Sequence, residues 1–113
     1  SLFIDADVQQ IEAAKRTGAP VIEIHTGHFA DAESRSERNS LLNEIKIACE
    51  HAEKIGLQVN AGHGLNRQNI HEIAALPQLR ELNIGHAIIA DSIFMGLEKA
   101  IYEYRRLMRE ARA

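Results

Sequence analysis

Four stretches of β-type sequence alternate with helical patterns along this chain, and that alternation restricts the fold more than any single motif. Ser1 to Ala6 is strand-like; Asp7 is placed to cap a helix, with Gln10 as its capping-box partner and Val8, Ile11 and Ala14 at helical spacing up to Gly18. Val21 to His25 alternates cleanly as a second strand, and Thr26 to Arg38 is polar enough to be expected as a surface loop. A helix over 39–55 carries the stripe Leu41, Leu42, Ile45, Ala48, Cys49, Ala52 and Ile55, and Gly56 ends it. Leu57 to Ala61 is the third strand. Asn66 can cap a short helix with Ile70, Ile73, Ala74 and Leu76, which Pro77 stops. Glu81 to Ile84 is the fourth strand. A short helix over 88–94 follows, Gly96 breaks it, and the last helix presents Leu97, Ile101, Tyr104, Met108 and Ala111 on one face.

Strict β-α alternation argues for a parallel sheet covered by helices. Right-handed crossovers leave an open doubly wound sheet or a barrel. The chain of 113 residues gives about 28 per unit, near the spacing of a barrel of eight units in roughly 250 residues. The strands are also two-faced. Leu2, Ile4, Ile22, Ile24, Val59, Leu82 and Ile84 share one set of positions, and Asp5, Glu23, Asn60 and Asn83 the other. A sheet with helices on both sides would be apolar on both faces. The expectation is a TIM-barrel α/β fold of which residues 1–113 are the C-terminal four βα units, with a short extra helix after the last strand. The polar set either lines a hydrated barrel interior or is confined to the strands' C-terminal ends. Four units leave two strand edges open, and the chain begins in mid-strand without Met, so an N-terminal half is expected as the partner of this one.

Charge and composition exclude several function classes. Net charge is −3, with no basic footprint for nucleic acid, and no apolar run reaches the roughly 18 residues of a membrane span. The single cysteine, Cys49, lies on an apolar helix stripe and is expected in the core, and the cytoplasm is the expected compartment. Lys99, Arg105, Arg106, Arg109 and Arg112 are expected as a solvated basic face suited to a helix C-terminus.

The chemistry concentrates where strands end. Leu57-Gln-Val-Asn-Ala-Gly-His-Gly-Leu65 and Leu82-Asn-Ile-Gly-His-Ala-Ile-Ile89 each run a β-stretch into Gly-His and then into a helical pattern. Glycine admits a ligand close to backbone N–H groups, and a helix N-terminus favours anions. Gly64, Gly85 and His86 are therefore candidate phosphate donors. His63, between two glycines, is a candidate acid–base group. Glu23 on the polar strand face must be paired or functional; His25, two residues on, either packs against it or orients it. His28, His51 and His71 are expected at the surface. Glu23, His25, His63 and His86 suit zinc or iron by type, but their spacing is no local ligand motif, and no metal is expected.

At these residues the chain resembles the pyridoxine 5'-phosphate synthase family of the deoxyxylulose-phosphate-dependent vitamin B6 pathway. The runs that carry the resemblance are Ser1-Leu-Phe-Ile-Asp-Ala-Asp7, Ile22-Glu-Ile-His-Thr-Gly27, Val59-Asn-Ala-Gly-His-Gly-Leu65, Glu81-Leu-Asn-Ile-Gly-His-Ala-Ile-Ile89 and Arg105-Arg-Leu-Met-Arg-Glu-Ala-Arg112. The resemblance implies condensation of 3-amino-2-oxopropyl phosphate with 1-deoxy-D-xylulose 5-phosphate to pyridoxine 5'-phosphate, phosphate and water, without metal or organic cofactor. It implies His63 as a proton donor, Glu23 as the residue stabilising a transition state, and Gly64, Gly85 and His86 as the aminooxopropyl-phosphate site. It also implies a homo-octamer, and an N-terminal half carrying the remaining catalytic groups, without which this half is expected to be inactive. Two other readings share the glycine turns: a different phosphate-binding barrel synthase or lyase, and a non-catalytic phosphate-binding half barrel.

Overall fold

The computed structural model describes residues 2–113, so Ser1 of the expected first strand lies outside the described residues. The chain runs β1 (Leu2–Ile4), α1 (Val8–Arg16), β2 (Val21–His25), α2 (Gly27–Ala30), α3 (Arg35–Lys54), β3 (Gln58–Gly62), α4 (Ile70–Ala74), β4 (Leu79–Asn83), α5 (His86–Met95) and α6 (Leu97–Ala111). The four strands form one all-parallel sheet in sequence order, with β1 and β4 at its edges. This is an α/β fold, arranged as part of a TIM barrel, and α5 is the extra helix after the last strand.

The alternation of residue types becomes an alternation of faces. Ile22, Ile24, Val59, Ala61 and Leu79 turn to the helices and are buried with Ile11 and Ala14 of α1 and Ile45, Ala48, Cys49 and Ala52 of α3. A second cluster joins Ile70 and Ala74 of α4 to Tyr104 of α6. Burial pushes the Cys49 thiol up to about 12, so it is a protonated core side chain. The opposite face is polar. Phe3, Glu23 and Asn60 stand in one register row with Glu81, and His25, Gly62 and Asn83 stand in the next. The polar set thus extends a full layer below the strand ends: Asn60 is buried and donates from Nδ2 to Glu81 Oε2 at 3.3 Å.

Local chemistry departs from the sequence expectations at several points. Asp7 caps α1 by accepting from the Gln9 N–H at 3.0 Å, but Gln10 reaches past it, accepting from the Asp5 N–H at 2.9 Å. Only 31–34 of the stretch after β2 is a surface loop: Thr26, Gly27 and Phe29 are buried, α2 occupies its start, and Ser34 caps α3 by accepting from the Glu37 N–H at 3.1 Å. Polar composition hid that turn because Phe29 is its one large apolar side chain, with the Arg38 guanidinium 5.1 Å from its ring centroid. The fourth strand begins at Leu79, since a bulge makes Arg80 an extra residue between the pairs Val59–Leu79 and Asn60–Glu81. Finally, the basic face of α6 is not simply solvated. Arg112 donates to the carbonyl oxygens of Ala74 (2.7 Å), Leu76 (2.9 Å) and Leu79 (2.5 Å), closing the end of α4, while Arg106 pairs with Glu103 and Glu110.

Candidate active site

The parallel strands all deliver their C-terminal ends to one rim, so residues distant in sequence meet there. Glu23 sits on the polar face of β2, and Asn83 of β4 donates from Nδ2 to its Oε1 at 2.5 Å. That bridge crosses β3 at Gly62. A Cβ at Gly62 would fall 2.8 Å from Glu23 Oε2 and 2.9 Å from the Asn83 carbonyl oxygen, so only glycine lets the two strands share the carboxylate.

His63 follows immediately and has φ +88°, in the left-handed region. A non-glycine residue there costs about 1–2 kcal/mol, which the surroundings must offset. Thr26, fully buried, supplies much of that. Its N–H donates to the Gly62 carbonyl at 2.9 Å, and its hydroxyl shares one proton between the carbonyls of Gly62 at 2.8 Å and His63 at 2.7 Å. The His63 ring stacks on His25, with centroids 4.5 Å apart and planes inclined at 25°. His25 Nδ1 accepts from the Gly27 N–H at 3.1 Å, which places the proton of the neutral ring on Nε2. Phe3 meets the His25 ring edge-on at 5.0 Å. The turn continues through Gly64, with φ +76°, where a Cβ would fall 2.7 Å from the Ala30 Cβ. Asn69, buried, donates from Nδ2 to the Gly64 carbonyl at 3.1 Å and holds the turn from below.

The second Gly-His turn behaves differently. Gly85 has no steric need to be glycine: a Cβ there would meet nothing within 4 Å. It precedes α5, whose first intrahelical bond is Ile89 N–H to Gly85 O at 3.0 Å. The N–H groups of His86, Ala87 and Ile88 therefore have no partner within the helix, and no side chain caps them. They and the helix dipole favour an anion at this end.

Glu23, His63, Gly64, Gly85 and His86 line one cleft of about 540 Å³, with Phe3 and Asn83 on its walls. All five residues singled out in the sequence are thus brought together. His25 lies beneath His63 rather than in the cleft wall. His28 and His71 are exposed, and His51 is partly covered beside Glu12. Among the described residues, no three His, Cys, Asp or Glu side chains converge as metal ligands, and no helix is long and apolar enough to cross a membrane. Sequence reasoning did not single out Thr26, Asn69 or Asn83 as parts of the site. Asn83 carried a signal, as the polar residue between Leu82 and Ile84. Thr26 and Asn69 carried none, because their partners are carbonyls fixed only by the tertiary fold.

The arrangement offers an uncapped helix end, a carboxylate oriented by an amide, and two histidines reaching the same space. That combination can hold a phosphorylated molecule at one side while protons move at the other.

The family model described as "Pyridoxal phosphate biosynthesis protein PdxJ" matches residues 1–110. The pyridoxine 5'-phosphate synthase of Idiomarina loihiensis is 51% identical over 112 residues, covering 99% of this chain and 46% of that protein. The pyridoxine 5'-phosphate synthase of Microcystis aeruginosa is 51% identical over 109 residues, covering 96% of this chain and 45% of that protein. The chain spans about half the length of the curated relatives it matches. With the match running through both Gly-His turns and all four strands, the chain belongs to the PdxJ family of pyridoxal phosphate biosynthesis proteins.

Proposed function

We propose that this chain is the C-terminal half of a pyridoxine 5'-phosphate synthase barrel and supplies its aminooxopropyl-phosphate site and part of its acid–base machinery. The observation that carries this reading is the gathering of Glu23, His63, Gly64, Gly85 and His86 around one cleft in a chain of this family. The substrates are 3-amino-2-oxopropyl phosphate and 1-deoxy-D-xylulose 5-phosphate; the products are pyridoxine 5'-phosphate, phosphate and water.

The phosphate of the amino ketone binds at the start of α5, held by the backbone N–H groups of Gly85 and His86 and, across the cleft, of Gly64. Its charge is matched by the helix end rather than by a basic side chain, which leaves the reacting carbons free to face β2 and β3. Schiff-base formation, dehydration and phosphate departure each require a proton delivered at a set position. His63 is the proton donor. Glu23, fixed by Asn83, stabilises the positive charge that develops as the imine forms. The reaction draws on no metal or organic cofactor. The contacts to deoxyxylulose phosphate and the remaining acid–base groups come from the N-terminal half, which pairs with the open edges of β1 and β4. The protein works in the cytoplasm, as a homo-octamer of complete barrels.

The test is turnover of the full-length protein with both substrates, followed by absorbance of the pyridoxine ring and by phosphate release. Wild-type turnover that His63→Ala abolishes supports the reading. Absence of turnover by a folded full-length protein, or full activity of His63→Ala, overturns it.

A further inference from the structure

We infer that His25 and Thr26, consecutive residues at the end of β2, are positioning residues that set the orientation of the His63 imidazole. The inference rests on the reading of His63 as an acid–base group but concerns two residues that touch no substrate.

Three observations converge. The His63 backbone occupies the left-handed region at φ +88°, a conformation that fixes where its Cα–Cβ bond points. The Thr26 hydroxyl lies 2.8 Å and 2.7 Å from the carbonyl oxygens of Gly62 and His63, the two peptide groups that flank that φ. Packing alone would be served as well by valine at a fully buried site; the hydroxyl is retained inside the protein because it bonds both carbonyls. The His25 ring then forms the floor on which the His63 ring rests, 4.5 Å away. That floor is itself locked, by the Gly27 N–H on Nδ1 and by the edge contact with Phe3. Gly27 admits this stack because a Cβ there would lie 2.3 Å from His25 Cε1 and 3.0 Å from His63 Cδ2. The same strand end that carries Glu23 therefore also aims His63, so the carboxylate and the imidazole keep one relative geometry even though the histidine lies in the turn after β3.

The experiment measures the His63 side-chain torsion in solution, from three-bond couplings about Cα–Cβ and the nuclear Overhauser contact between the two imidazole rings. Wild type and Thr26→Ser, which keeps the hydroxyl, are expected to show one rotamer and the ring contact. Thr26→Val is expected to show averaged couplings and a lost contact. A folded Thr26→Val with wild-type couplings overturns the inference. Should that variant fail to fold, His25→Leu decides: averaged couplings support the floor, and a single wild-type rotamer refutes it. In the full-length protein, Thr26→Val is expected to lower kcat by about tenfold or more, with KM for the amino ketone little changed and Thr26→Ser restoring the rate. A merely structural threonine would alter stability without this split. The torsion measurement needs no substrate, so it stands or falls independently of whether His63→Ala abolishes turnover.

Discussion

The Asn83 side-chain amide donates to the Glu23 carboxylate at 2.5 Å, joining β4 to β2 across the glycine of β3. The bond uses one carboxylate oxygen, Oε1, and leaves Oε2 above Gly62. Replacing Asn83 by Asp puts two carboxylates at this distance, where like charges repel. Asn83 is exposed, so stability is expected to change by about 1 kcal/mol or less. Turnover of the full-length protein is expected to fall by about tenfold or more as Glu23 swings away. Thermal melts beside steady-state rates check both halves of the expectation.

Two glycines of the site are glycines for different reasons. Gly62→Ala drives a methyl group to 2.8 Å from Glu23 Oε2 and 2.9 Å from the Asn83 carbonyl oxygen and is expected to cost about 1–3 kcal/mol, because one neighbour is backbone and the other belongs to a carboxylate that Asn83 holds through Oε1. Gly85→Ala meets nothing within 4 Å and is expected to leave the denaturation midpoint unchanged while weakening phosphate binding at the start of α5. Urea denaturation and calorimetric titration with inorganic phosphate separate the two. A Gly85→Ala protein that binds phosphate like wild type would remove the α5 end from the phosphate site.

Arg112 is a staple between helix and sheet. Its guanidinium spans three carbonyls, of Ala74, Leu76 and Leu79, where a lysine ammonium, a compact point donor, cannot match the planar fork. Arg112→Ala is expected to destabilise the chain by about 1–2 kcal/mol and Arg112→Lys by a smaller amount. Carbonyl acceptors carry no net charge, so the loss should persist at high salt, unlike that of the exposed Arg106 pairs. Denaturation at low and high ionic strength is the check.

Tyr104 ties α6 to α5 by donating to Asp91 Oδ2 at 2.8 Å. Burial, reinforced by the bond and negative charge of Asp91, pushes its phenol up from 10.0 to about 12. The raised value means that the folded state favours the neutral phenol. Its contribution to stability is complete below pH 10 and is lost as pH rises from there through about 12. With Tyr102→Phe, Tyr104 is the sole phenol. Phenolate absorbance of that variant is expected to emerge only near pH 12, or earlier if unfolding exposes the ring.

The alternation of β and helical patterns, the two-faced strands and the Gly-His turns were legible in the sequence because each is local: period, cap and turn chemistry act over a few residues. They determined a parallel α/β arrangement and named five of the residues that line the cleft. The tertiary structure alone decided what holds them. The Arg80 bulge that sets the β4 register, the reach of Arg112 across to α4 and the grip of Thr26 on His63 all join groups tens of residues apart. In each case the partner is a backbone group or a strand register, which no side-chain pattern advertises until the chain is folded.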